Sequence, residues 1–120
     1  MGYIAIVDYG AGNLMSVHNT LDFLGYENKV ASTSEVIENA AGVILPGVGA
    51  FGDAMERLHQ YGLVDVIREA VKNGTPLLGI CLGLQLLFER SDESDGVKGL
   101  GILKGQILKI PDSPCLKIPH

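Results

Sequence analysis

Strand-like and helix-like stretches alternate along this chain of 120 residues, joined by turns rich in glycine, and that alternation restricts the fold more than any other feature. YIAIVDY at residues 3–9 is a β-branched run ending in the turn-forming GAGN. From Asn13, a good N-cap, Leu14, Val17, Leu21 and Leu24 recur at helical spacing until Gly25 closes the segment. YENKVA reads as a second strand, and TSEVIENA as a short helix capped by Thr33 or Ser34. GVILP at residues 42–46 lacks polar alternation, as a strand buried on both faces does. Helical stretches follow over residues 54–60 and in LVDVIREAVKNG, where Leu63, Val66, Ile67, Ala70 and Val71 share one face. TPLLGI is a fourth strand, LGLQLLFER resumes helical character, and SDESDG is a polar loop. Residues 97–110 read as one or two strands turning at KG. Strand and helix in this order imply right-handed βαβ crossovers, hence a three-layer α/β sandwich around a mostly parallel sheet.

Length and composition set the outer limits. At this length one domain over residues 1–120 is expected, with 47% hydrophobic and 19% charged residues marking it as globular. The net charge of −5 leaves no basic footprint, so nucleic acid is not an expected partner. Gly, Pro or charge interrupts every apolar run before the roughly 18 residues that a membrane span requires. A strand pattern follows Met1 almost at once, which is not how a secretory leader begins. Cys81 and Cys115, in unlike surroundings, do not resemble a disulfide framework, and a reducing cytoplasm is the simplest setting. The three histidines and two cysteines lack metal-ligand spacing, so neither metal nor other cofactor is expected.

In a parallel sheet, active groups gather at the carboxyl ends of strands. DYGAGN, LPGVGAF and GICLG all fall there. On composition alone Cys81, between Ile80 and Leu82, is a small core hydrophobe, since free cysteine is among the most buried residue types. Its setting argues for a nucleophile. Gly79 and Gly83 flank it at two residues on either side, the pattern of a sharp strand–turn–helix elbow that raises a reactive side chain. A helix beginning just after Cys81 would aim its free N–H groups at the sulfur and lower the thiol pKa. The N–H of Leu82 would stand where an oxyanion forms, and PGVG at residues 46–49 offers a second donor, the N–H of Val48 or Gly49. No base accompanies them. His18 lies within the first helix, His59 in a polar stretch, and His120 at the last position, where nothing could orient it.

GICLGLQ, LPGVGAF and the opening IVDYGAGNLMSV together resemble the triad-type, class I glutamine amidotransferases. GVKGLGILKGQILKI and the closing KIPH extend the resemblance over the whole chain, toward the glutaminase subunits of imidazole glycerol phosphate synthase in histidine biosynthesis. The resemblance implies a flavodoxin-like sandwich in which Cys81 attacks the side-chain amide of glutamine, forms a glutamyl thioester and releases ammonia. Leu82 and the Val48–Gly49 segment would form the oxyanion hole, Gln85 would help hold glutamine, and Glu93 would face its α-ammonium group. By their own sequence context Gln85 is a solvated helix residue and Glu93 a solvated loop charge. In that family the ammonia passes to a barrel-shaped cyclase subunit, the heterodimer partner, which makes imidazole glycerol phosphate and an aminoimidazole carboxamide ribotide.

One departure is large. The family completes its triad with an H-x-E pair on a later strand end, and this sequence contains no H-x-E. His120 matches a different family histidine, near the cyclase. The 120 residues are therefore expected to be the amino-terminal portion of a longer subunit, incomplete at the carboxyl end, without turnover alone and with a sheet edge and apolar surface exposed. Two rival readings remain: a glutaminase of another pathway, such as pyridoxal phosphate synthesis, and a non-catalytic flavodoxin-like binding module with Cys81 merely buried. DYGAGN lacks both G-x-G-x-x-G and the lysine of a P-loop, so a phosphate-binding role is weakly supported.

Overall fold

A computed structural model of the chain describes residues 2–94 and 96–108. Cys115, His120 and the last residues of the final predicted strand lie outside that range.

Four strands, β1 (Ile4–Val7), β2 (Asn28–Ala31), β3 (Gly42–Leu45) and β4 (Leu77–Gly79), form one parallel sheet in the order β2-β1-β3-β4. Between them run α1 (Leu14–Leu24), α2 (Ser34–Glu38), α3 (Phe51–Gln60) and α4 (Val64–Lys72), and α5 (Leu82–Leu86) follows β4. Because each crossover must be right-handed, a step from β1 to β2 and the opposite steps from β2 to β3 to β4 put their helices on opposite faces. The packing agrees. Ile6 and Ile44 meet Leu21, Leu14 and Val17 of α1 on one face, while Ala5, Val7, Val43 and Leu45 meet the helices after β2 on the other. The α/β sandwich with a mostly parallel sheet is thus the fold expected from the sequence.

Local signals account for most boundaries. The Asn13 side chain accepts a hydrogen bond from the Ser16 N–H at 3.2 Å, and Gly25 ends α1 at φ 84°. Thr33 is the N-cap of α2, though its side chain makes no capping bond. Helix α3 starts at Phe51, three residues before the predicted 54–60, since Phe51 is fully buried and anchors the first turn.

The region after Cys81 differs from the sequence reading. Helix α5 ends at Leu86, and the stretch read as its continuation holds strand β5 (Arg90–Ser91). Strand β5 pairs in parallel with β6 (Gln106–Ile107), and Arg90 bridges Lys98 in antiparallel sense. Within the described residues 97–108 the chain therefore does not fold back on itself at KG. The Gly99 and Leu100 N–H groups bond to the carbonyls of Glu89 and Leu86, so this segment wraps around the end of α5 instead of pairing with itself. Among the described residues β4 has β3 as its one neighbour, and Leu78 is 56% exposed there, in keeping with the expected open edge.

Candidate active site

The strand order reverses between β1 and β3, so a crevice opens at their carboxyl ends. DYGAGN leaves β1 there, PGVG leaves β3, and Cys81 follows β4 beside them.

Cys81 has φ 55° and ψ −123°, and among the described residues it is the only one besides glycine with a positive φ. A side chain in that region costs about 1–3 kcal/mol, which persists only where surrounding structure imposes it. The two glycines supply the imposition. A Cβ on Gly79 would stand 2.7 Å from the Leu84 Cα and 2.9 Å from its nitrogen, and one on Gly83 would overlap the Leu45 carbonyl oxygen. Only bare backbone lets β4, the turn and α5 fold this tightly against the end of β3. The turn leaves the free thiol exposed, which excludes the core-hydrophobe reading.

The donors at the start of α5 are not free, as the sequence reading expected them to be. The Gly83 N–H donates to Ile80 at 2.9 Å, and those of Leu84 and Gln85 donate to the Cys81 carbonyl at 3.0 and 3.4 Å. The Leu82 N–H donates to the Gly47 carbonyl at 3.3 Å, so an acceptor from the PGVG loop occupies the position where an oxyanion would sit. No hydrogen bond from the N–H of Val48 or Gly49 joins another described residue. Both residues are exposed, with Gly49 at φ 95°, and they line a groove of about 410 Å³ shared with Gly10, Gly12 and Arg57. A larger groove, about 640 Å³, lies elsewhere along Arg68, Arg90, Lys98 and Gln106 and does not include Cys81.

Gln85 lies one turn after Cys81 and is half-buried. Glu93 is exposed, and its carboxylate makes no hydrogen bond or ion pair to another described residue. Its loop is nevertheless tethered near the site: Ser94 Oγ accepts the Gly52 N–H at 2.9 Å, in the first turn of α3 just beyond Gly49. Neither described histidine is brought to Cys81. His18 Nδ1 lies 2.6 Å from Asn28 Oδ1 and Nε2 lies 3.2 Å from Asp22 Oδ2, which holds it toward the amino end of β2. His59 sits in the last turn of α3, away from the strand end where that helix begins.

Tyr9 was not singled out in the sequence. Its side chain is fully buried, and its hydroxyl donates to the Pro46 carbonyl at 2.7 Å, joining the ends of β1 and β3. Burial pushes its pKa up to about 12, so the hydroxyl stays a donor at neutral pH. The available signal was a tyrosine closing a buried strand, because a buried phenol must find a partner.

The parallel sheet with a strained, exposed cysteine at a strand–helix elbow defines an α/β protein whose candidate site lies at the carboxyl ends of its strands. It belongs to the class-I glutamine amidotransferase family, whose sequence profile matches residues 5–109. Among curated proteins it is 56% identical over 117 residues to an imidazole glycerol phosphate synthase subunit HisH from Moorella thermoacetica, a match covering 98% of this chain and 55% of that protein. It is 49% identical, also over 117 residues, to the subunit of that name from Listeria innocua, covering 98% of this chain and 56% of the relative. A solved structure described as a crystal structure of glutamine amidotransferase superposes with a TM-score of 0.73 at 26% identity, covering 85% of this chain and 53% of the other. The chain spans about half the length of the curated relatives it matches.

Proposed function

We propose that this chain is the nucleophile-bearing part of a glutaminase subunit that delivers ammonia to a cyclase partner making imidazole glycerol phosphate. The observation that carries the chemistry is the exposed Cys81 thiol at φ 55°, held up by two glycines. What supports the pathway is the identity to HisH subunits over nearly the whole chain. In this reading residues 1–120 are one incomplete domain of a longer cytoplasmic subunit, and the exposed free thiol suits a reducing compartment.

The Cys81 sulfur attacks the side-chain carbonyl carbon of glutamine, forming a C–S bond while the carbonyl π electrons move onto oxygen. The N–H groups of Leu82 and of Val48 or Gly49 receive that oxyanion, Gln85 helps hold the substrate, and Glu93 faces its α-ammonium group. Collapse of the intermediate breaks the C–N bond, and ammonia leaves with the proton taken from the thiol. Water then cleaves the glutamyl thioester, giving glutamate and restoring the thiol. Proton transfer in both halves needs a base, and with His18 and His59 engaged or directed elsewhere the base comes from outside the described residues. Two geometric conditions follow. The Gly47 carbonyl must leave Leu82 before that N–H can serve an oxyanion, and turnover by residues 1–120 alone falls roughly 10²- to 10⁴-fold below the complete subunit.

The test is ammonia release from glutamine by the subunit extended to the length of its relatives, with and without the cyclase and its nucleotide ligand. Strong stimulation by the liganded cyclase, abolished by Cys81→Ala, is expected. Activity indifferent to the cyclase would move the protein to another pathway, and activity that survives Cys81→Ala would remove the nucleophile assignment.

A further inference from the structure

Helix α3 starts without a cap of its own. Ala50, its N-cap residue, has the extended backbone suited to that position, φ −85° and ψ 140°, but no side-chain oxygen to receive the N–H groups of the first turn. The acceptor comes instead from 42 positions away, where Ser94 Oγ takes the Gly52 N–H at 2.9 Å. Gly52 is the second residue of α3, and its N–H is one that a capping serine at the helix start would bind. Glycine at position 52 makes the approach possible, since a Cβ there would stand 2.9 Å from Ser94 Oγ and 3.2 Å from Ser94 Cβ. Two parts of the candidate site are joined in this way: Gly52 lies three residues beyond Gly49, and Ser94 directly follows Glu93.

The loop has few other ties. The N–H groups of Glu93 and Ser94 donate to Ser91, to its Oγ and its carbonyl, and the Val97 N–H donates to the Ser94 carbonyl, all within the loop. The Asp92 N–H fixes the start of the loop to the Ile107 carbonyl in β6, and Val97 packs its end on the core. Among the described residues of its middle, Ser94 alone bonds to α3. We infer that Ser94 is a positioning residue, whose hydroxyl holds the loop against the start of α3 so that the Glu93 carboxylate faces the α-ammonium group of glutamine. The inference rests on the glutaminase reading above, and within it on the role proposed for Glu93. The Glu93 carboxylate makes no bond to another described residue that would set its place, so it inherits its place from the loop. Apparent affinity falls with the fraction of molecules in the binding arrangement, and losing one net hydrogen bond lowers that fraction by up to about fivefold. The contact lies at the end of the substrate remote from the attacked amide, so the loss falls on KM and not on kcat.

The experiment measures ammonia release against glutamine concentration for the subunit extended to the length of its relatives, with the liganded cyclase present. Ser94→Ala is expected to raise KM up to about fivefold at unchanged kcat, with the rate of Cys81 alkylation by iodoacetamide also unchanged. Adding Ala50→Ser to that variant separates positioning from capping. Ala50→Ser supplies an acceptor to α3 from within the helix and so returns the thermal midpoint toward the parent's, but it cannot draw the loop in, and KM stays high. A KM that Ser94→Ala does not raise, a KM that Ala50→Ser restores, or a fall in kcat alone overturns the inference. Gly52→Ala, which crowds Ser94 from the other side, should raise KM in the same way and provides the test if Ser94→Ala does not fold. Failure of the underlying readings looks different. Glu93→Gln is expected to raise KM and to abolish any further effect of Ser94→Ala; an unchanged KM in Glu93→Gln would remove the role of Glu93, and absence of Cys81-dependent ammonia release would remove the glutaminase reading itself.

Discussion

Gly83→Ala separates local propensity from tertiary packing, because the two predict opposite signs. Gly83 lies inside α5 and is absent from the glycines with positive φ, so an alanine there meets no conformational objection. Propensity alone favours alanine in a helix interior by about 1 kcal/mol. The surroundings reverse this. The new methyl would overlap the Leu45 carbonyl oxygen and lie 2.7 Å from the carbon that bears it. Neither atom can swing aside, since Leu45 belongs to β3, paired on both sides within the sheet, and its carbonyl accepts the Ile80 N–H at 3.0 Å. Overpacking of this kind costs about 1–3 kcal/mol. Separating the elbow from β3 forfeits about one hydrogen bond, on the order of 1 kcal/mol, which the helical gain roughly offsets. A net loss of about 2 kcal/mol is expected, lowering the thermal midpoint of a chain this size by roughly 6–10 °C. Urea and thermal unfolding of Gly83→Ala beside the parent chain measure it directly. An unchanged or raised midpoint would mean that the elbow is not packed on β3 as described, and the argument for the raised cysteine would fail with it.

Two further outcomes follow from the same geometry. Cys81→Gly relieves the backbone strain at φ 55° and should leave the protein about 1 kcal/mol more stable than Cys81→Ala in urea unfolding, although both lack the thiol; equal stabilities would deny the strain. Tyr9 holds its proton more tightly in the folded chain, with a pKa near 12 against 10.0 for a free phenol, because burial penalises the anion. The native state therefore binds more protons than the unfolded state between those values. The associated stability, about 2–3 kcal/mol, is intact below pH 10 and lost as pH rises toward 12. Absorbance titration should show a tyrosine ionising near pH 12, and Tyr9→Phe should delete that step.

The sheet and its order of elements were legible in the sequence because their signals are local. Asn13 before a helical apolar spacing and Gly25 after it mark α1 whatever the rest of the chain does. The unbroken apolar run of GVIL marks a strand covered on both faces. The elbow was legible in part for a similar reason, since Gly79 reflects crowding by Leu84 close in sequence, whereas the demand for glycine at position 83 comes from Leu45 across the fold. The segment after α5 was not. LFER carries helical spacing, yet Phe88, Glu89 and Arg90 leave the helix to bond Gly101, Gly105, Gly99 and β6. Those partners lie ten or more residues away, and no local pattern announces them.

By itself, then, the sequence determined the alternation of strand and helix, the right-handed path through it and the cysteine lifted between two glycines, because sterics and periodicity act between near neighbours. Only the tertiary structure decided which groups meet across the carboxyl ends of the strands. Tyr9 finds Pro46 across 37 positions, Ser94 finds Gly52 across 42, and the Gly47 carbonyl covers the N–H of Leu82. Such partners are set when β1, β3 and β4 pack side by side and every buried donor must find an acceptor among whatever the fold brings near.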